Sequence, residues 1–265
     1  MSPYWRRLLG FTLGAALCVL GYLFLLNFPG LGRQTPTAGL VPALAIASAS
    51  WWLTWRFLRA DQIPPAAIGL NSRARPLLRL AVGFVAGSLL TGVWLVLVTM
   101  TTSVVWQPNP AFRMGTMLGA CGFNFFNNVG EELVYRGYAF VRLADRFGPV
   151  LTVGITSSLF ALLHLQAGIP WLSVLAGVLT SGLIFGALFA RWRSLPLALG
   201  FHVATNIVQD LSGLRPSGAS LFTLTWPASG AAVGAETLGT IALLNVVIAV
   251  AILIVPWPSR QSRPD

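Results

Sequence analysis

The chain has 265 residues, of which 55% are hydrophobic and only 9% charged, and its mean hydropathy is +0.75. An ordinary soluble domain carries roughly 25% charged residues, so the composition excludes a soluble globular protein and describes a polytopic membrane protein. The net charge of +10 comes from arginines alone, most of them in short connections between apolar stretches, which reads as membrane topology and not as a nucleic-acid footprint.

Crossing a hydrocarbon core takes about 20 apolar residues. On that criterion the sequence predicts an all-α transmembrane helical bundle of about eight spans: Leu8–Phe28, Gly39–Leu58, Leu77–Val105, Met114–Arg136, Pro149–Leu165, Trp171–Ala190, Leu195–Leu211 and Glu236–Val255. The first follows a basic start, but its apolar run is too long for the core of a signal peptide and no small-residue cleavage site follows it. The stretch from Arg56 to Arg79, with Ile63-Pro64-Pro65 and several arginines, is expected along the inner membrane surface. The longest connection is the Gly/Ser/Pro-rich run from Ser212 to Ala235. Residues 1–265 read as one integral membrane domain, with 110–210 as its catalytic core.

Positive charge is retained on the cytoplasmic side. With a cytoplasmic N-terminus, Arg6, Arg7, Arg56, Arg59, Arg73, Arg75, Arg79, Arg142, Arg146, Arg191, Arg193, Arg260 and Arg263 fall inside, and only Arg33, Arg113 and Arg215 outside. An even number of spans returns the C-terminus to the cytoplasm. GxxxG spacings at Gly10/Gly14, Gly83/Gly87, Gly115/Gly119 and Gly182/Gly186 mark candidate sites of close helix packing. Cys18 and Cys121 lie in apolar segments without CxxC spacing and read as small core residues.

Ionisable residues inside apolar segments cost about 2.5 to 3.5 kcal/mol each at the bilayer centre and are functional candidates by default. Glu131 and Glu132 are the only adjacent acidic residues. Helical spacing aligns Asn124, Asn127 and Asn128 with them, so the fourth segment has a polar stripe. Arg136 follows Glu132 by four residues, the favourable order for an acid–base pair on one face, although it also fits an anchor at the end of a span. The only histidines, His164 and His202, each have a partner one turn away, Phe160 and Asn206. A single buried histidine more often makes an interhelical hydrogen bond than it does chemistry; two histidines, two glutamates and an arginine in neighbouring spans favour a site. Counted at about 1.5 Å per residue, Glu131, His164 and His202 lie on the order of 16, 22 and 10 Å from the inner side, and they are expected to converge on a cavity opening to the cytoplasm.

Two adjacent carboxylates in a poorly solvated pocket cannot both ionise freely, which suits one of them to general-base work. Asn206 can donate to a developing oxyanion without titrating. Two histidines and a carboxylate (Glu131, His164, His202) could instead hold zinc or another divalent metal with a water site left open.

Glu131-Glu132-Leu133-Val134-Tyr135-Arg136 resembles an EExxxR motif, Phe160 to His164 an FxxxH motif, and His202 to Asn206 an HxxxN motif, in the order found in the CPBP family of CAAX proteases and bacteriocin-processing enzymes, also called Abi. No motif residue departs from that pattern. The resemblance implies an intramembrane endopeptidase in which Glu131 activates water, Glu132, Arg136 and Phe160 complete or support the site, and His164, His202 and Asn206 position water or stabilise the oxyanion. It leaves open a glutamic or a metallo type, and it implies a membrane-associated or prenylated CAAX-type peptide substrate. Alternatives are a non-catalytic membrane partner in bacteriocin immunity and a polytopic transporter. The expected partners are the lipid bilayer and a peptide or lipidated protein, with no nucleic acid. The arginine-, alanine- and glycine-rich composition points to a bacterial inner membrane. There is no GxSxG elbow for a serine hydrolase and no GxGD for an aspartyl protease.

Overall fold

Proline opens several helices here, because in the first helical turn its missing N–H costs nothing. Pro3 begins α1 (Pro3–Asn27), Pro76 begins α3 (Pro76–Thr101), which follows α2 (Leu40–Ala60), and Pro149 begins α6. The structure, a computed structural model, describes residues 1–28, 39–71, 75–166, 168–215, 219–226 and 233–254. Strand β1 (Val105–Pro108) separates α3 from α4 (Met114–Arg136), and α5 (Tyr138–Phe147) leads into α6 (Pro149–Leu165). Then come α7 (Trp171–Trp192), α8 (Leu195–Ser212), β2 (Phe222–Thr225) and α9 (Ala235–Ile254). Gly213, at φ 82°, ends α8 in the left-handed conformation that glycine adopts without strain.

The fold is the all-α membrane bundle expected, and a long helix stands at each of the eight predicted segments. By length and composition four of them can cross a membrane: α1, α3, α7 and α9. The other four are shorter or more polar, and α4 carries the polar stripe.

Three connections differ from the sequence reading. The third helix ends at Thr101, and Val105 starts β1, which pairs antiparallel with β2 (Val105 with Thr225, Pro108 with Phe222). The long Ser212–Ala235 connection therefore contains a strand. The arginine-bearing stretch after α4 is a helix, α5, whose Tyr138, Phe140 and Val141 are buried. Arg33, Arg73, Arg260, Arg263 and the predicted end at Val255 lie outside the described residues.

Alpha-helical packing places α4 between α2 and α8, with α3 laid along the other face of α8 and α7 between α6 and α9. Glycine makes the α3–α8 contact possible. A Cβ on Gly83 would stand 2.1 Å from the Leu197 carbonyl oxygen, and one on Gly200 would stand 2.0 Å from that of Leu80. Gly87 is equally constrained against Phe201, so the Gly83/Gly87 spacing is a true packing motif. Gly182 and Gly186 meet Ser157 and Val153 of α6, whereas Gly115 faces open space, so the Gly115/Gly119 spacing has no packing partner at its first glycine. Cys18 and Cys121 are free and half-buried.

A polar tie closes the end of the bundle where α2 stops. Asp61 is paired with Arg7 of α1 and, at 3.2 Å, with Arg142 of α5, and it accepts a 2.6 Å hydrogen bond from the Tyr138 hydroxyl. Burial pushes the Asp61 carboxyl up, but the hydrogen bonds from Tyr138 and Arg7 and the charges of Arg142 and Arg7 outweigh it and leave the group below the ordinary carboxylate range. The Arg142 guanidinium lies 4.6 Å over the Tyr4 ring, and the Tyr4 hydroxyl donates to the Arg142 carbonyl. A second polar tie joins α3, α7 and α9: Trp94 Nε1 donates to Asn245 Oδ1 (3.2 Å), and Asn245 Nδ2 donates to Thr180 Oγ1 (2.9 Å). Thr180 directly follows a π-helical stretch of α7, Val174–Leu179.

Candidate active site

Helix α4 turns its polar stripe inward because it is covered on both sides. Asn124, Asn128, Glu132 and Arg136, spaced by four, are all buried. Glu131 and Asn127 lie beside that line and are partly exposed.

Glu132 and Arg136 form an ion pair at 3.0 Å in which both side chains are 0% exposed. The arginine is therefore not the surface anchor that its position at the end of a span allowed. Its second terminal nitrogen donates to the Gly182 carbonyl of α7 (3.1 Å), and its guanidinium lies 5.1 Å from the Phe160 ring and 5.5 Å from that of Phe185. A charge this deep is tolerable because a carboxylate, a carbonyl and two aromatic faces surround it.

His202, on α8, links the two glutamates. Its Nδ1 is 2.9 Å from Glu132 Oε1, and its Nε2 is 3.6 Å from Glu131 Oε2. Glu132 Oε1 accepts from Arg136 and can only accept from His202, so Nδ1 carries the proton and the imidazole presents Nε2 to Glu131. The ring is clamped by aromatic packing: Phe185 stacks on it at 4.3 Å and 24°, and Phe160 meets it edge to face at 5.7 Å. Glu131 Oε1 accepts from Asn127 Nδ2 at 3.0 Å. The Glu131 side chain keeps 22% of its exposure while that of Glu132 has none, so two adjacent carboxylates of one helix occupy opposite environments.

His164 sits at the end of α6. Its Nδ1 donates to the Phe160 carbonyl within its own helix (2.8 Å), and its ring lies 4.5 Å from that of Phe160. The two histidines thus flank one phenyl ring, and Nδ1 of His164 is committed to its own helix. Asn206, one turn beyond His202, donates from Nδ2 to Asn128 Oδ1 at 3.0 Å. Six of the motif residues, Glu131, Glu132, Arg136, Phe160, His164 and His202, are thus joined by contacts through Phe160 and His202, and Asn206 is joined to Asn128 of α4.

The conditional metal set of Glu131, His164 and His202 is not assembled. Among the described residues no three His, Cys, Asp or Glu side chains are close enough to hold a metal ion. His164 spends Nδ1 on the Phe160 carbonyl and His202 spends Nδ1 on Glu132, which leaves each Nε2 without a proton, as in a histidine that binds a metal through Nε2, but the three side chains do not stand together.

Arg136 and Glu132 are sealed and the Glu131 side chain keeps 22% of its exposure, while the Arg215 side chain, beyond the end of α8, keeps 45%. Beside Arg136, Leu133, Tyr138 and Phe140 are each at most 1% exposed.

The sequence reading missed three participants: Phe185, the Gly182 carbonyl and Arg215. Phe185 has no distinguishing signal in an apolar helix, and the GxxxG spacing of Gly182 marks helix packing but not the use of its carbonyl as an acceptor. Arg215 lies beyond the end of α8, where helical periodicity no longer applies.

Residues 112–208 match the family model for type II CAAX prenyl endopeptidase Rce1-like proteins. The matched stretch, a little over a third of the chain, contains all three motifs and agrees with the CAAX protease family that they resemble. No curated protein and no solved structure matches the chain.

Proposed function

We propose that the protein is an intramembrane endopeptidase of the CAAX protease type that cleaves a peptide bond in a membrane-associated or lipidated substrate, with Glu131 as the base that activates water. The observation that carries the reading is the division of labour between the two glutamates. Glu132 is sealed, charged-paired with Arg136, and spends Oε1 on His202; Glu131 is partly exposed and has Oε2 directed toward His202 Nε2.

In this mechanism Glu131 takes a proton from water as the hydroxide oxygen adds to the scissile carbonyl carbon. The carbonyl oxygen gains the negative charge and is met by a donor that the fold holds ready, Asn206 Nδ2, while His164, whose Nδ1 proton goes to the Phe160 carbonyl, offers Nε2 as an acceptor that orients the water. Collapse of the tetrahedral species breaks the C–N bond, and the proton held by Glu131 passes to the leaving nitrogen. His202, fixed by Glu132 through Nδ1 and by Phe160 and Phe185 through its ring, orients the water and Glu131. Arg136 holds the Glu132 side chain in place. These steps draw on side chains of this chain alone.

In the same reading all eight long helices cross the membrane, with both termini on the arginine-rich side of a bacterial inner membrane. The substrate class includes prenylated CAAX-type peptides.

The test is cleavage of a quenched fluorescent CAAX-type peptide, farnesylated at its cysteine, by purified protein and by its Glu131→Gln variant, each with and without a strong chelator. The expected result is a loss of on the order of 10²-fold or more in kcat for the variant, the usual scale for a positioned general base, and no effect of chelator. Loss of wild-type activity on chelation would replace the glutamate mechanism with a metal one. Retention of full activity in Glu131→Gln would sink the assignment of the base.

A further inference from the structure

Beyond the three motifs, a closed ring of hydrogen bonds stands where α8 runs out. Arg215 Nε donates to Asp210 Oδ1 (2.7 Å), Arg215 Nη2 donates to Asn124 Oδ1 (3.0 Å), and Asn124 Nδ2 donates to Asp210 Oδ2 (2.6 Å). Asp210 and Asn124 are buried, so the ring fixes the guanidinium plane against two rigid helices. From that plane Arg215 Nη1 reaches Asn206 Oδ1 at 3.4 Å, and Nη2 reaches the Asn206 carbonyl at 3.5 Å.

The consequence lies in what an amide can and cannot decide for itself. A side-chain amide has an acceptor and a donor of nearly the same shape, and two amides that face each other can exchange roles by rotating together. Asn206 and Asn128 are such a pair, with Nδ2 of Asn206 donating to Oδ1 of Asn128 and Nδ2 of Asn128 without a hydrogen-bond partner among the described residues. In the reversed arrangement Asn206 would turn its NH2 toward Arg215. A guanidinium only donates, so that arrangement sets donor against donor and is disfavoured.

We propose that Arg215, held by Asp210 and Asn124, is a positioning residue that sets which way the Asn206 amide faces, keeping its oxygen on the guanidinium and its NH2 turned into the site. The inference rests on the proposed function, in which the Asn206 NH2 meets the oxyanion. Arg215 acts through Asn206 and does not touch the substrate. Lysine keeps the charge at this position but cannot span Asp210, Asn124 and Asn206 in one plane.

The experiment is a double-mutant cycle on the full chain with the farnesylated peptide: wild type, Arg215→Lys, Asn206→Ala and the double variant, with Arg215→Gln as a second substitution and Glu131→Gln as the reference for the parent reading. The expected result is that Arg215→Lys and Arg215→Gln lower kcat by about tenfold or more with KM changed less than threefold. In the Asn206→Ala background the same substitutions then change kcat less than twofold, because the group they orient is gone. Equal loss in both backgrounds overturns the proposal, as does a raised KM at unchanged kcat, which would make Arg215 a substrate contact, or wild-type kcat in both variants. If Glu131→Gln is inactive while Arg215 is silent, only this inference fails. If Glu131→Gln cleaves like wild type, the parent reading fails and carries the inference with it.

Discussion

Replacing Glu132 by glutamine removes one charge from a pair in which neither side chain meets solvent. Arg136 would then be left as a charge with the Gly182 carbonyl and the faces of Phe160 and Phe185 for company. Breaking a buried ion pair by removing one partner costs about 3 to 5 kcal/mol. The carbonyl bond and the aromatic faces, the latter contributing roughly 0.5 to 2 kcal/mol when desolvated, are retained, which places the expected loss near the lower end, about 3 kcal/mol. Glu132→Leu combined with Arg136→Met removes both charges and should recover most of that loss, because buried pairs exchanged for apolar residues of similar volume are often neutral in stability. Activity should not recover with it, since His202 would still lack the carboxylate that holds Nδ1. The assay is equilibrium unfolding of the purified protein in mixed detergent micelles, run beside peptide cleavage. The reasoning is refuted if Glu132→Gln costs less than about 0.5 kcal/mol, the scale of an ordinary surface substitution, or if the double variant is no more stable than the single one.

Gly200→Ala would place a Cβ 2.0 Å from the Leu80 carbonyl oxygen and force α3 off α8; the expected loss is about 1 to 3 kcal/mol or more, measured by the same unfolding assay, whereas Gly115→Ala, with open space around it, should be neutral or slightly stabilising. The Asp61 tie predicts an acid limb of stability: its carboxyl is lower in the folded protein than in the unfolded chain, so the contribution is complete above the ordinary carboxylate range and disappears as pH falls through the folded value. Unfolding measured from neutral pH down to about pH 3 should therefore show a steeper decline for wild type than for Asp61→Asn, and parallel curves would remove Asp61 from the account.

Hydropathy made the long helices legible, because lipid demands about 20 apolar residues per crossing and leaves few other solutions. It did not find α5, a ten-residue helix whose buried Tyr138, Phe140 and Val141 are followed by Arg142, Asp145 and Arg146, because it is too short and too charged for the hydropathy criterion of a lipid-facing span. It also did not find the β1–β2 pairing, since four-residue strands carry too short a pattern to distinguish from loop. Within the site, spacing by four correctly placed Glu132 with Arg136 and Asn206 beside His202, because those relations lie within one helix. The contacts between helices were invisible for the same reason: the stacking of Phe185 on His202 and the reach of Arg136 to Gly182 depend on how α7 is set against α4 and α8. Nor does residue spacing encode side-chain rotamers, on which the meeting of Glu131, His164 and His202 at one point depends.

The sealed Glu132–Arg136 pair also bears on how the chain matures. In the proposed topology helix α4 enters the membrane carrying three asparagines, two glutamates and an arginine, a burden that lipid alone does not accommodate. Its covers arrive at different times: α2 is already synthesised, but α8, which brings His202, emerges only some 60 residues later. Until then the polar face of α4 has to be shielded by other means, such as water or the insertion machinery, and the proposed catalytic constellation does not yet exist. The same late helix both shields the stripe and completes the site, so a nascent or truncated chain would remain inert, and proteolytic competence would coincide with the end of assembly.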